Sequence, residues 1–96
     1  MRTVHLQVKA RQDLKDILRY SIGEHGWERA ERYYDSLTNG IESLCKNPEL
    51  GFSRADIKPD YRQLPIEKHH VFYKVTSTQI RVVRILHERA LKTKHL

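Results

Sequence analysis

The sequence is poor in several residue types that mark particular classes of protein. Its 96 residues include one cysteine, one tryptophan, three prolines and four glycines. The single thiol, Cys45, cannot form an internal disulfide and fits a reducing compartment. Long apolar runs are also absent, and residues 1–8 alternate between apolar and polar types, so neither a membrane-spanning helix nor a signal peptide is predicted. We expect a cytoplasmic protein.

The chain is too short for more than one hydrophobic core. A compact chain of this length has a radius of gyration of about 12–13 Å and forms one domain. The sequence contains no repeat, no low-complexity tract and no linker. We therefore predict a single domain over residues 1–96, without a cofactor domain or a bound cofactor, in which any functional site lies on the surface or in a shallow groove.

Acidic residues are scarce in the last third of the chain. Residues 1–67 carry eleven basic and eleven acidic side chains, whereas residues 68–96 carry seven basic side chains against Glu88 alone. The formal net charge of +6 therefore belongs to the C-terminal third. Such a field attracts phosphates, RNA or an acidic protein segment, and the charge count does not choose among them.

The spacing of apolar residues predicts the order of the elements. Alternation over residues 4–8 indicates a strand, and three- and four-residue spacing predicts two helices, from Ala10 to about Gly23–Gly26 and from Trp27 to Leu44. Asn47-Pro48 ends the second helix, and three apolar runs follow over 61–65, 70–75 and 80–86. The order β-α-α-β-β-β predicts an α+β fold in which a helical hairpin packs on one face of a small antiparallel sheet. The opposite face is expected to be partly open.

Strand alternation also predicts which neighbours share a face. Phe72 and Tyr73 are expected on opposite faces, as are Arg81 and Arg84, so that one arginine enters the open groove. His69 and His70 alternate in the same way and cannot chelate a metal together, so we predict no metal site. Cys45 adjoins the apolar seam of the second helix and is expected to be a buried, unreactive thiol.

A set of ordered motifs carries a family resemblance. The motifs are Asp13-Leu14, Trp27 to Tyr33, Asn47 to Gly51, Tyr61 to Pro65, His70 to Tyr73 and Val83 to Arg89. Together they resemble the ParE toxins of the ParE/RelE superfamily, from type II toxin–antitoxin modules. The resemblance implies the RelE/ParE-like fold and a non-enzymatic toxin that inhibits DNA gyrase. It also implies neutralisation by a ParD-like antitoxin, through which operator DNA is contacted only indirectly.

The resemblance and the charge distribution together nominate site residues. Target binding and toxicity are assigned to the last strand and the tail, at Arg84, His87 and Arg89. Antitoxin binding is assigned to a second set, comprising Trp27, Tyr34, Arg62, Tyr73 and Arg81. Where the family commonly has Met-Asp after the last strand, this chain has Ala90-Leu91 followed by a basic tail.

Two alternative functions stay open at this point. A RelE-like, ribosome-dependent mRNA endoribonuclease would use His70, Arg89 and His95, because RNA cleavage needs a base, an acid and cations that stabilise the transition state. That set is incomplete: RelE has an arginine at the position of His70, and the lysine cluster ahead of that strand is missing. The second alternative is an inactive toxin homologue that acts only within the antitoxin complex.

Overall fold

The computed structural model describes residues 1–92, the side chain of Lys92 excepted. Within this range no helix combines the length and the apolar character that a membrane crossing requires. The elements in chain order are β1 (Thr3–Leu6), α1 (Val8–His25), α2 (Trp27–Ser43), β2 (Phe52–Ser53), β3 (Arg62–Ile66), β4 (His69–Val75), β5 (Gln79–His87) and a 3-10 helix (Glu88–Lys92).

The two predicted helices form a hairpin that turns at a single residue, Gly26. This residue has a φ of 82°, a region that favours glycine because it has no Cβ. Its N–H donates to the carbonyl of Ile22, and its carbonyl accepts from the N–H of Ala30. Gly26 therefore ends α1 and starts α2 with hydrogen bonds to both helices.

The five strands form one mixed sheet in the order β1-β5-β4-β3-β2. The pairs β5-β4, β4-β3 and β3-β2 are antiparallel, whereas β1 runs parallel to β5. The predicted α+β architecture and element order are confirmed, with two differences. The sheet is mixed rather than antiparallel, and an additional strand of two residues, β2, lies between α2 and β3.

The main core lies between the helical hairpin and one face of the sheet. Leu14 of α1 and Leu37 of α2 are buried there against Tyr73, Ile80 and Val82. The second helix is positioned close to β3 by Gly40, where a Cβ would lie 2.5 Å from Cδ1 of Ile66. Glycine within a helix lowers its stability relative to alanine, and at this position the close packing against Ile66 offsets that loss.

A β-bulge in β5 changes which side chains share a face. Tyr73 pairs with Val82 and Phe72 pairs with Arg84, so Val83 is an extra residue in β5. Side chains that follow the bulge are shifted by one position relative to simple alternation. The prediction that Arg81 and Arg84 point to opposite faces is therefore wrong, because both lie on the face away from the helices.

That helix-free face is open only in part. Phe72 and Gln63 are 1% and 3% exposed, and Leu86 is also buried, although none of them belongs to the main core. Phe72 and Tyr73 alternate as predicted, but both are buried, so neither lines an open surface. The accessible part of the helix-free face lies around β1 and the first half of β5.

Candidate functional site

The accessible part of the helix-free face contains a cavity of about 540 Å³, which we call the sheet-face cavity. The N-terminal end of α1 and strands β1 and β5 form much of its wall. Among residues 1–92, its lining includes five basic or imidazole side chains, those of His5, Lys9, Lys58, Arg81 and Arg84, and no acidic side chain. The sequence nominated only the two arginines. Strand pairing and chain reversal bring the other three beside them from distant parts of the chain.

Arg84 is held by a carboxylate of α1. Its Nε and Nη2 atoms donate to Asp13 at 2.8 and 2.9 Å, and the same carboxylate accepts the backbone N–H of Ile85 at 2.9 Å. This ion pair raises the pKa of Arg84. Asp13 therefore provides an acceptor for a backbone N–H of β5 beyond the end of β1. Arg84 has a structural role in addition to lining the cavity. Sequence reasoning gave Asp13 no role in the site.

His87 and Arg89 lie at the junction between β5 and the 3-10 helix. Nδ1 of His87 accepts the backbone N–H of Arg89 at 3.1 Å, which fixes the start of the 3-10 helix. The Arg89 side chain is exposed and makes no ion pair with any residue in the range 1–92. Among the three residues nominated for toxicity, Arg89 therefore presents its charge most directly to a partner.

Tyr33, His69 and His87 form a cluster that connects α2 to the start of β4 and the end of β5. The sequence analysis did not predict it. The Tyr33 hydroxyl accepts the N–H of Lys68 at 3.3 Å and lies 2.6 Å from Nδ1 of His69. The His69 ring packs edge-on against His87, with 5.1 Å between ring centroids. Burial, followed by the proximity of His87 and His70, lowers the pKa of His69 from 6.5 to about 4. His69 is therefore neutral at physiological pH, and its Nδ1 shares a hydrogen bond with the Tyr33 hydroxyl.

His70 lies on the helix-free face in a different hydrogen-bonded chain. Arg54 donates to Oε1 of Gln63 at 2.6 Å, and Nε2 of Gln63 donates to Nδ1 of His70 at 2.7 Å. The neutral His70 ring therefore carries its proton on Nε2. Burial lowers the pKa of His70. Of the other residues nominated for a nuclease, Arg89 lies in the 3-10 helix and His95 lies outside the described residues.

Tyr73 and Arg62, two of the residues nominated for antitoxin binding, anchor the loop that follows α2. The buried Tyr73 hydroxyl accepts the N–H of Gly51 at 3.0 Å and donates to the carbonyl of Pro48 at 2.7 Å. Arg62 donates to the carbonyl of Gly51 at 2.6 Å. Tyr73 is 0% exposed, so the prediction that it contacts the antitoxin directly is wrong: its side chain belongs to the core.

The remaining antitoxin-binding nominees lie in separate places. Trp27 is 60% exposed at the start of α2, and Tyr34 is half-buried about two turns further along the same helix. Tyr20, in the last two turns of α1, is also exposed. Arg81 lies in the sheet-face cavity, on the opposite side of the sheet. The structure therefore does not bring the five nominees together on one surface.

Cys45, His69 and His70 were considered above for thiol or metal chemistry, and in the fold each is held by neighbouring side chains. Cys45 is buried, and burial followed by the nearby Glu42 carboxylate raises the pKa of its thiol. His69 and His70 point to opposite faces, with Tyr33 and Gln63 as their respective partners. In the part of the chain that the structure describes, no group of three or more His, Cys, Asp or Glu side chains is arranged to hold a metal ion.

Comparison with known proteins matches residues 4–91 to the sequence model of the ParE toxin of the type II toxin–antitoxin system parDE. Toxin ParE1 of Mycobacterium tuberculosis is 35% identical over 85 residues, covering 88% of this chain and 87% of that protein. Toxin ParE1 of Caulobacter vibrioides is 31% identical over 96 residues, covering 100% of this chain and 99% of that protein. A solved chain of the chromosomal ParDE system from P. aeruginosa has the same fold, with a TM-score of 0.78 and 22% identity over 91% of this chain and 96% of its own length. This chain therefore belongs to the ParE toxin family of type II toxin–antitoxin systems.

Proposed function

We propose that this toxin acts in the cytoplasm by binding DNA gyrase and that a ParD-like antitoxin neutralises it. Membership of the ParE family supports both halves of the proposal. The observation that carries the target-binding half is the position of Arg89, an exposed cation directly after β5 whose backbone is held by His87. Binding of this kind needs no catalytic group, so we propose that the toxin is not an enzyme.

The roles of the three nominated toxicity residues differ in this proposal. Arg89 contacts the target through its guanidinium group, which forms strong hydrogen bonds to carboxylates. His87 orients the 3-10 helix that carries Arg89. Arg84 fixes the edge of β5 through Asp13 and thereby supports the strand from which that helix emerges.

Antitoxin binding is assigned mainly to the helical hairpin. The similar solved chain comes from a ParDE system, which supports a ParD-like partner. Trp27 and Tyr34 offer aromatic surface on α2, and the net positive charge of the chain would steer an acidic antitoxin segment during encounter. Recognition of operator DNA would belong to the antitoxin, so that the toxin meets the operator only through the complex.

The test compares two activities of the purified toxin in matched assays. One assay measures supercoiling of relaxed plasmid by purified gyrase, and the other follows mRNA integrity in a translating extract. We expect supercoiling to be blocked while mRNA stays intact. The variant Arg89→Glu should need at least about tenfold more toxin for the same inhibition, since it reverses a contact charge. Arg32→Glu, an equal charge change on the exposed face of α2, is the matched control.

The alternatives predict different results in the same pair of assays. Cleavage of mRNA without inhibition of gyrase would contradict the proposal and favour the ribosome-dependent nuclease, with His70 and Arg89 as the residues to test. No effect in either assay, combined with full binding of the antitoxin, would favour the inactive homologue. Equal loss of inhibition in Arg89→Glu and Arg32→Glu would show that net charge, rather than Arg89, carries target binding.

A further inference from the structure

We propose that the sheet-face cavity is a binding site for the phosphate backbone of a nucleic acid. The cavity measures about 540 Å³, and basic side chains from α1, β5 and the loop before β3 converge on it, with no acidic side chain among the described residues of its lining. The site lies on the face opposite the helical hairpin. The inference goes beyond gyrase inhibition, because it concerns direct binding of nucleic acid by the toxin itself.

The row of side chains across the sheet supports the proposal. His5 of β1 and Lys74 of β4 are the direct neighbours of Arg81 on either side. Like charges that lie directly opposite each other on neighbouring strands destabilise a sheet. Arg81 and Lys74 form such a pair, and Lys74 also lies 5.9 Å from the centre of the Tyr61 ring. An anion bound between the two cations would remove this repulsion.

The Arg81 guanidinium has unused hydrogen-bonding capacity. None of its side-chain nitrogens donates to another residue in the range 1–92, and its Nε atom is buried without a partner. Arg84, by contrast, is already paired with Asp13. Arg81 therefore has a buried donor that a bound anion could satisfy.

The start of α1 adds positive potential to the same cavity. Gln7, the residue before the helix, makes no side-chain capping bond, and the first turn contains no acidic residue. The first backbone N–H groups of a helix lack partners within the helix, and the helix dipole makes this end positive. Gln7, Val8 and Lys9 line the cavity, so this end of α1 faces the same space as Arg81.

The extent of the site favours a polyanion over a single ion. Three neighbouring strands span about 10 Å, since adjacent strands are about 4.8 Å apart. A nucleic acid backbone supplies one phosphate about every 3.4 Å along each strand, so one segment reaches several of these cations. An acidic peptide would also need apolar anchors, and the two most exposed aromatic side chains, Tyr20 and Trp27, lie on the helical hairpin instead. Backbone binding of this kind is independent of base sequence and differs from operator recognition.

The experiment titrates the purified full chain into a fluorescently labelled DNA duplex of about 20 base pairs and follows anisotropy at several salt concentrations. We expect the double variant Lys74→Gln/Arg81→Gln to bind at least about tenfold more weakly than the unmodified chain. Its salt dependence should also fall by about one unit of slope for each lost phosphate contact. The control is Lys15→Gln/Arg19→Gln, which removes the same charge from exposed positions of α1 and should change binding less than twofold.

Thermal unfolding separates loss of the site from loss of the fold. Without DNA, the Lys74→Gln/Arg81→Gln variant should unfold at the same or a higher temperature, because the like-charge pair is gone. With DNA, only the unmodified chain and the control should be stabilised. Equal weakening in both double variants would overturn the proposal, and so would tighter binding of a poly-glutamate peptide than of DNA. Because no gyrase is present, the result is independent of the proposed target.

Discussion

At the scale of single residues, the position of Arg89 depends on a hydrogen-bonded and stacked group of side chains. Tyr33 reaches from α2 to His69, whose ring packs against His87, and His87 accepts the backbone N–H of Arg89. Three elements thus meet at the point where β5 passes into the 3-10 helix. Because burial of the His69 ring opposes its protonation, the folded arrangement requires a neutral imidazole at physiological pH.

This requirement predicts a pH dependence of stability. The pKa of His69 is lowered from 6.5 to about 4 in the folded chain, mainly by burial. The unfolded chain therefore takes up the proton first as the pH falls, so the stability linked to His69 is complete above pH 6.5 and declines as the pH falls towards 4. Because the side chain is only half-buried, we expect a loss of about 1–2 kcal/mol over this range.

The measurement is the free energy of unfolding by urea at pH 7.0 and pH 4.5 for the unmodified chain and for His69→Gln. The variant should show a smaller fall between the two pH values, because the group that titrates has been removed. His25→Gln, at the exposed end of α1, should keep the original pH dependence. An unchanged fall in His69→Gln would contradict the assignment of this titration to His69.

At the scale of elements, β1 and α1 each form hydrogen bonds to a different part of the same edge of β5. Strand β1 pairs with β5 only as far as Val82, after which the N–H of Gln7 makes one further bond to the Val82 carbonyl. Beyond that point the carboxylate of Asp13 accepts the N–H of Ile85 and two bonds from Arg84. The Asp13 side chain of α1 therefore accepts a backbone hydrogen bond that an edge strand would otherwise accept.

We predict that Asp13→Ala destabilises the fold by about 2–4 kcal/mol, since it leaves a partly buried guanidinium and a backbone N–H without their acceptor. Asp13→Asn, which keeps one acceptor oxygen but loses the charge, should cost less. Asp16→Ala is the control, because the side chain of this exposed residue of α1 accepts a hydrogen bond from Gln12 and makes no ion pair within residues 1–92. The comparison uses unfolding by urea at pH 7, and equal stability of Asp13→Ala and Asp16→Ala would contradict the role of Asp13.

The elements themselves could be predicted from the sequence because each has a periodic apolar pattern. The helices that turn at Gly26 and the strands β1, β3, β4 and β5 all follow from such patterns. Strand direction does not: the alternation in β1 is the same whether it pairs parallel or antiparallel. The two residues of β2 are too few to show a period. The bulge at Val83 depends on pairing with β4, so the shared face of Arg81 and Arg84 was not predictable.

At the scale of the whole molecule, the basic side chains of the sheet-face cavity lie apart from the two most exposed aromatic side chains, Tyr20 and Trp27. The C-terminal third, which holds the net positive charge, supplies Lys74, Arg81 and Arg84 to the helix-free face. Lys9 and Lys58 join them from the part of the chain whose net charge is zero. No count along the sequence identifies these two, because their proximity depends on where α1 begins and on the path of the loop before β3.

The helical hairpin carries the exposed Trp27, which leads to a prediction about neutralisation of the toxin by its antitoxin. Trp27 is 60% exposed, so its loss should leave the fold stable, whereas an exposed tryptophan at an interface commonly contributes about 2 kcal/mol or more to binding. Under the proposed division of surfaces, Trp27→Ala should raise the Kd for a cognate ParD-like antitoxin by at least about tenfold and leave inhibition of gyrase unchanged.

The matched control for this prediction is Val8→Ala, which also removes an exposed apolar side chain but lies at the sheet-face cavity. Calorimetric titration with the antitoxin measures both Kd values, and rescue of growth by co-expressed antitoxin tests the consequence in cells. Because the loss of Trp27 weakens the antitoxin contact without altering Arg89, the Trp27→Ala toxin should escape neutralisation and still act on its target. Equal affinities of Trp27→Ala and Val8→Ala would contradict the assignment and move the antitoxin contact away from the start of α2.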